Sequence, residues 1–189
     1  MRLKIVQAGD PVLREEARPL KTDEIVKDEV QRLIRDMQET MHDAPGVGLA
    51  APQVGVPLQL AVIEDREEFL KHLPTEELAL KGRRPLPFHV LINPQIVRSG
   101  DDKAEFHEGC LSLAGFSAIV PRAKVVRVGF LDERGGPRSV EATGWYARIL
   151  QHEIDHLHGT LYIDRMHSRT FTSLDNWTRY GKRKAASDT

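Results

Sequence analysis

Apolar residues early in the chain recur at helical spacing, through Val26, Val30, Leu33, Ile34, Met37 and Met41, and predict one long helix over residues 22–43. Thr22 stands where a cap is needed, and Asp23 and Glu24 suit the first turn. Ala44-Pro45-Gly46 ends the run, because proline disfavours a helical residue before it. The period then changes. Residues 58–63 read as a strand, 88–97 as a strand broken by Pro94, and 116–120, 124–130 and 138–143 as further strands. Turns fall at 100–102 and 132–136, the latter closing a hairpin. Residues 64–87 are charged and proline-bearing, and predict a surface excursion with a short helical piece. His72 within it reads as solvated, and His89 in the next strand as a packing residue.

The stretch 144–159, GWYARILQHEIDHLHG, carries the densest chemistry. Wound as a helix, it puts Trp145, Ile149, His152 and His156 on one arc, with Glu153 at its flank, and Leu150, Ile154 and Leu157 on another. Only Gln151, Asp155 and His158 form a polar strip, so the helix belongs inside the protein. His152 and His156 stand about 6 Å apart along the axis, one turn, which lets both bind one metal ion with Glu153 beside it rather than on it. The third ligand is not downstream in either usual form. In the pattern HExxHxxGxxH, Gly159 fits but Tyr162 occupies the last ligand position, and no glutamate follows Glu153. Asp164 and Asp175 keep a zinc peptidase open as an alternative, and otherwise the ligand is sought upstream.

Two upstream patches add candidate chemistry. FHEGCLS holds Cys110, the single cysteine, with Gly109 freeing the backbone beside it and the Leu111 amide following, able to point at whatever Cys110 binds. Between Gly46 and Gly55 small residues let the backbone approach something closely, and Gln53 has an amide that can donate into a site.

Composition narrows the class. A chain of 189 residues is long enough for one domain with a proper core. Lys plus Arg is 27 against 28 acidic residues, so bulk charge gives no sign of a specific nucleic-acid partner. One cysteine excludes an internal disulfide and fits a reducing compartment. The N-terminal stretch has no apolar signal region and no segment approaches membrane-spanning length, so a soluble, cytoplasmic protein is expected rather than a membrane-bound or organellar one.

Taken together, GVGLAAPQ (46–53), EGCLS (108–112) and HEIDH (152–156) resemble the peptide deformylase family, as do FHVLINPQIV, the run from 144 to 166, and SRTF at 168–171. The resemblance implies an α+β fold, with antiparallel β-sheets packed around a central C-terminal helix that carries HEIDH. It implies a catalytic domain over 1–180 and a polar, disordered tail over 181–189. Cys110, His152 and His156 would ligate one divalent ion, Fe(II) in the cell, with Zn(II), Ni(II) or Co(II) able to replace it; a water would complete the open site. The implied reaction is hydrolysis of the N-formyl group from formylmethionine at the start of nascent peptides, with Glu153 moving the proton and the Gln53 amide and Leu111 N–H holding the oxyanion. The peptide would lie as an added strand beside Val47 and Gly48, with Gly109 opposite, and Trp145, Ile149 and Leu111 would take the methionine side chain. Transient ribosome contact goes with such a substrate. Asp155 either pairs with Arg122, as in similar proteins, or faces solvent. A non-enzymatic metal-stabilised module is the remaining rival, and would need a fourth ligand such as His107 or His158.

Overall fold

The structure, a computed structural model, describes residues 1–181. The predicted first helix is present in two pieces, α1 (Thr22–Ile25) and α2 (Asp28–Asp43). Lys21, not Thr22, holds the cap position, and the Glu24 carboxylate accepts its N–H at 2.8 Å. The break turns Val26 out to 60% exposure despite its apolar spacing. Gln31 makes the break tolerable: its amide donates to the Ile25 carbonyl freed there and to the Glu133 carbonyl, both at 2.8 Å. Val30, Ile34, Met37 and Met41 then face inward on α2, onto β1 (Gly48–Ala50) and β2 (Leu60–Asp65).

The expected surface excursion carries two short helices, α3 (Glu67–Leu70) and α4 (Thr75–Lys81), with His72 exposed. β3 (Leu86–Ser99) follows and runs through Pro94 without the predicted break. A bulge absorbs the proline: register shifts between Ile92 and Gln95, where Asn93 adopts φ of 49°. Asparagine tolerates that left-handed conformation, and the bulge spares a residue that has no N–H for the ladder. Asn93 also fastens the N-terminal segment, accepting from the Leu20 N–H at 2.9 Å and donating to its carbonyl at 2.8 Å.

The remaining elements are β4 (Lys103–Glu108), β5 (Phe116–Ala123), β6 (Val125–Leu131), β7 (Pro137–Thr143), α5 (Gly144–Leu157) and β8 (Thr172–Ser173). Five strands form one sheet in the order β1-β2-β3-β6-β7, three form another in the order β4-β5-β8, and every neighbouring pair is antiparallel. α5 lies between them, touching all five strands of the first sheet and β5 of the second. The expected α+β architecture around the HEIDH helix is therefore the one observed.

Ala147, Ile149, Leu150, Ile154 and Leu157 of α5 pack with Ala61, Ile63, Leu91, Val126 and Val128 of the sheet. Each large side chain buried there contributes about 1.5–3 kcal/mol. The helix stops at Gly159, whose φ of +66° only glycine adopts freely and whose absent Cβ would lie 2.5 Å from the Arg14 carbonyl. No helix among the described residues is long and apolar enough to cross a membrane. The tail expected from residue 181 falls, Gly181 apart, outside the described residues.

Candidate metal centre

The donor atoms of Cys110, His152 and His156 all lie within 4.8 Å of one another. Their positions follow from the fold. α5 presents the two histidines from its buried side, and Cys110 lies two residues beyond the end of β4, where Glu108 meets that helix. Cys110 Sγ is 3.3 Å from His156 Nε2, and the two imidazoles meet edge to face with centroids 4.9 Å apart. Donors bound to one ion at 2.0–2.3 Å stand roughly 3–4 Å from each other, so one thiolate and two imidazoles at these separations suit a single divalent cation. His156 is almost wholly buried, at 1% exposure.

Charge in the cluster is uneven. Burial opposes protonation of His152, but its contacts with Cys110 and Glu108 outweigh that and raise its pKa well above the usual value. Burial, reinforced by the His152 charge, pushes His156 well below. Burial raises the Glu153 carboxyl to about 7, with His152 acting against the shift and Glu108 adding to it. A carboxylate near neutrality exchanges protons efficiently. Its Oε2 is a buried acceptor without a hydrogen-bond partner in the protein.

Gln53 comes from the 3₁₀ turn Ala51–Val54 that follows β1. Its Oε1 accepts the Ala50 N–H at 2.9 Å, which fixes the amide so that Nε2 points at Cys110 Sγ (3.4 Å) and Ser112 Oγ (3.3 Å). A cavity of about 480 Å³ opens beside these groups. Val47, Gly48 and Gln53 bound it on one side, Gly109, Cys110 and Leu111 on another, and Trp145, Ile149, His152 and Glu153 from α5. The structure thus gathers the sequence-predicted residues, with His156 beneath them. Lys81 and Arg83 stand over the Trp145 ring, their charges 5.0 and 5.4 Å from its centroid, and Arg83 also lines the cavity.

Sequence reasoning gives Glu108 no role beyond its motif and does not reach Arg148. Both are buried, and together with Arg122 they brace the centre. Glu108 Oε2 bonds to His152 Nδ1 at 3.0 Å, leaving Nε2 as the free donor, and the same carboxylate takes two bonds from Arg122 at 2.9 Å each. Arg148 reaches Glu108 as well, and donates to the Val120 and Ala104 carbonyls at 2.8 and 2.6 Å. Despite its burial, these partners hold Glu108 well below the usual carboxylate range. A signal was present: Arg148 sits one turn before His152 on a helix that belongs inside the protein, and a buried cation needs an anion.

Asp155 is not solvent-facing. It pairs with Arg122 and also takes Arg165, at 2.7 and 2.8 Å. The rival ligands do not join the cluster. His158 is exposed and His107 stacks on Trp177, while Asp164 pairs with Arg14 and accepts the Leu161 N–H, and Asp175 is exposed.

The polypeptide deformylase family profile matches residues 2–171. Peptide deformylase 3 of Streptomyces avermitilis is 50% identical over 171 residues, covering 90% of this chain and 74% of the relative. Peptide deformylase 1A, chloroplastic, of Solanum lycopersicum is 48% identical over 172 residues, 91% of this chain, and the chain spans 62% of that relative's length. Among solved structures, the Met-Ala-Ser-bound peptide deformylase of Acinetobacter baumannii superposes with a TM-score of 0.78 at 29% identity, covering 88% of this chain and 99% of that one. A profile that takes in all three motifs, on a fold that brings them to one cavity, leaves one assignment: this chain belongs to the polypeptide deformylase family.

Proposed function

We propose that the protein hydrolyses the N-formyl group of N-terminal formylmethionine on newly made polypeptides, releasing formate and a free amine. The observation that carries the reading is the junction of the Cys110–His152–His156 donor set with the buried Glu153 carboxylate, at the edge strand of an antiparallel sheet. Those three residues would hold one divalent ion, Fe(II) in the cell, with Zn(II), Ni(II) and Co(II) as substitutes. When bound, the ion supplies a Lewis acid and acidifies a water.

The chain's own groups do the rest. Glu153 accepts a proton from the attacking water at its unpartnered Oε2 and returns it to the departing amine nitrogen. Gln53 Nε2, held by its bond to Ala50, and the Leu111 N–H steady the oxygen on which charge develops. β1 is the outermost strand of its sheet, so the backbone at Val47 and Gly48 offers an open edge to an extended peptide, with Gly109 across from it. Trp145, Ile149 and Leu111 give the methionine side chain an apolar wall. A formyl carbon bears only hydrogen, which lets its carbonyl enter where a methyl would press on Gly48 and Cys110. A cytoplasmic setting suits a site that depends on one reduced thiol, and a nascent-chain substrate brings transient contact with the ribosome.

Incubation with formyl-Met, acetyl-Met and unmodified Met versions of one short peptide, read by mass spectrometry, tests the reading. Only the formyl form should change, by loss of formate, with every internal bond intact. Internal cleavage would revive the peptidase, and no change in metal-loaded protein would favour the structural module.

A further inference from the structure

Arg148 lines two cavities, the one at the metal centre and a second of about 300 Å³. The second lies between the end of α4, the start of β4, the end of β5 and the start of α5, and none of Cys110, His152 and His156 borders it. Its charged lining is of one sign. Lys81, Arg122, Lys124 and Arg148 border it, and no acidic side chain among the described residues does.

Glu77 answers Lys81, and Lys124 is exposed. The two arginines are buried, at 4% and 3% exposure, and share too few anions. Glu108 serves Arg122, Arg148 and His152, and Asp155 serves Arg122 and Arg165, so two carboxylates answer three guanidinium groups. For its other bonds Arg148 has the Val120 and Ala104 carbonyls. Burial lowers its pKa despite Glu108, and Arg122 adds to the shift. α5 contributes the same sign, because it starts at Gly144 on the cavity wall without a side-chain cap.

The rest of the wall is mainly apolar. Leu80 and Val125 border the cavity at 74% and 39% exposure, so an apolar group laid there would cover surface that water now meets. Phe106 joins the two parts, its ring centroid 5.3 Å from the Arg148 guanidinium carbon.

We infer that this cavity binds a small monocarboxylate with a short apolar tail, its head held by Arg148 and Lys124 and its tail against Leu80, Phe106 and Val125. A carboxylate matches the planar fork of a guanidinium group. The occupant would draw on the arginines that hold Glu108 against His152, and would act on the metal centre without entering it. The inference goes beyond the deformylase reading and does not depend on it.

The test is isothermal titration calorimetry of the nickel-loaded full chain with butyrate, formate and butylamine at constant ionic strength. Butyrate should bind at about 1 mM or tighter, within the reach of so small a ligand. Formate, which lacks the tail, should bind about tenfold more weakly or worse, and butylamine, of opposite charge, should not bind. Lys124→Glu should weaken butyrate about tenfold by setting a like charge at the cavity. Ala104→Leu, which fills the cavity, should abolish binding, with thermal melts showing that both variants fold. A carboxylate held by the nickel ion instead would bind both variants as it binds the parent, and that result would overturn the inference. So would an absence of butyrate binding to the parent, or formate binding as tightly as butyrate.

Discussion

Glu153 lies against Gly48 so closely that a Cβ at position 48 would stand 2.1 Å from its Oε1. The carboxylate is thus set by a bare stretch of β1 as much as by its own helix. Gly48→Ala must push either Glu153 or the strand aside. A displacement near 1 Å at a reacting group costs roughly 10²-fold, so kcat/KM for a formylated peptide should fall by about that factor. Metal content by elemental analysis should stay unaltered, and a variant as active as the parent would show that Glu153 does not need this placement.

Glu153→Gln should keep ion and fold, because the amide is nearly isosteric, yet lose about 10²–10⁴-fold in turnover, since it cannot accept a proton. Formate release measured beside thermal melting checks both halves. Activity close to the parent's would remove Glu153 as the base.

Cys110→Ala and His156→Ala should each lose the catalytic ion, each removing one of three protein donors. Elemental analysis after gel filtration reads this directly. One equivalent of metal retained by both variants would put the ion elsewhere.

Glu108→Gln should act on two properties at once. His152 would lose the partner that orients it, lowering ion affinity about 10–100-fold in a chelator competition. Arg148 and Arg122 would lose a shared buried anion, at a cost of about 3–5 kcal/mol in urea unfolding. Unchanged stability would mean that Asp155 and the carbonyls suffice.

Asn93→Ala should cost about 2–4 kcal/mol, from a left-handed alanine and the unpaired Leu20 backbone groups. Asn93→Gly should recover the conformational share only. Equal unfolding midpoints for the two variants would show that the φ angle carries no strain.

What could be read beforehand divides along physical lines. The four-residue spacing of His152 and His156 and the apolar flanks of α5 are periodic facts, and the buried helix followed from them. Cys110 needed the resemblance, since a lone cysteine beside a glycine has no period. The bracing by Glu108 and Arg148 depends on the end of β4 facing one turn of α5, a juxtaposition forty residues apart in sequence that no local pattern encodes. Two departures from the sequence pattern are local in the opposite sense. Val26 fits the helical repeat but lies at a break that Gln31 stabilises from six residues away, and Pro94 looks like a terminator until Asn93 supplies a bulge around it.

Gln53 meets Cys110 across 57 positions of sequence, and Cys110 meets His156 across 46. The centre is therefore assembled from three separate stretches of the polypeptide, and the helix at its middle is the last of the three in chain order. Closing loops of that size is entropically expensive before the contacts reward it, which places such a topology among slower folders. No fragment that stops short of α5 holds more than one of the three donors. Ion capture in a refolding experiment would consequently clock the arrival of the complete topology, and helix formation or early collapse would leave it silent.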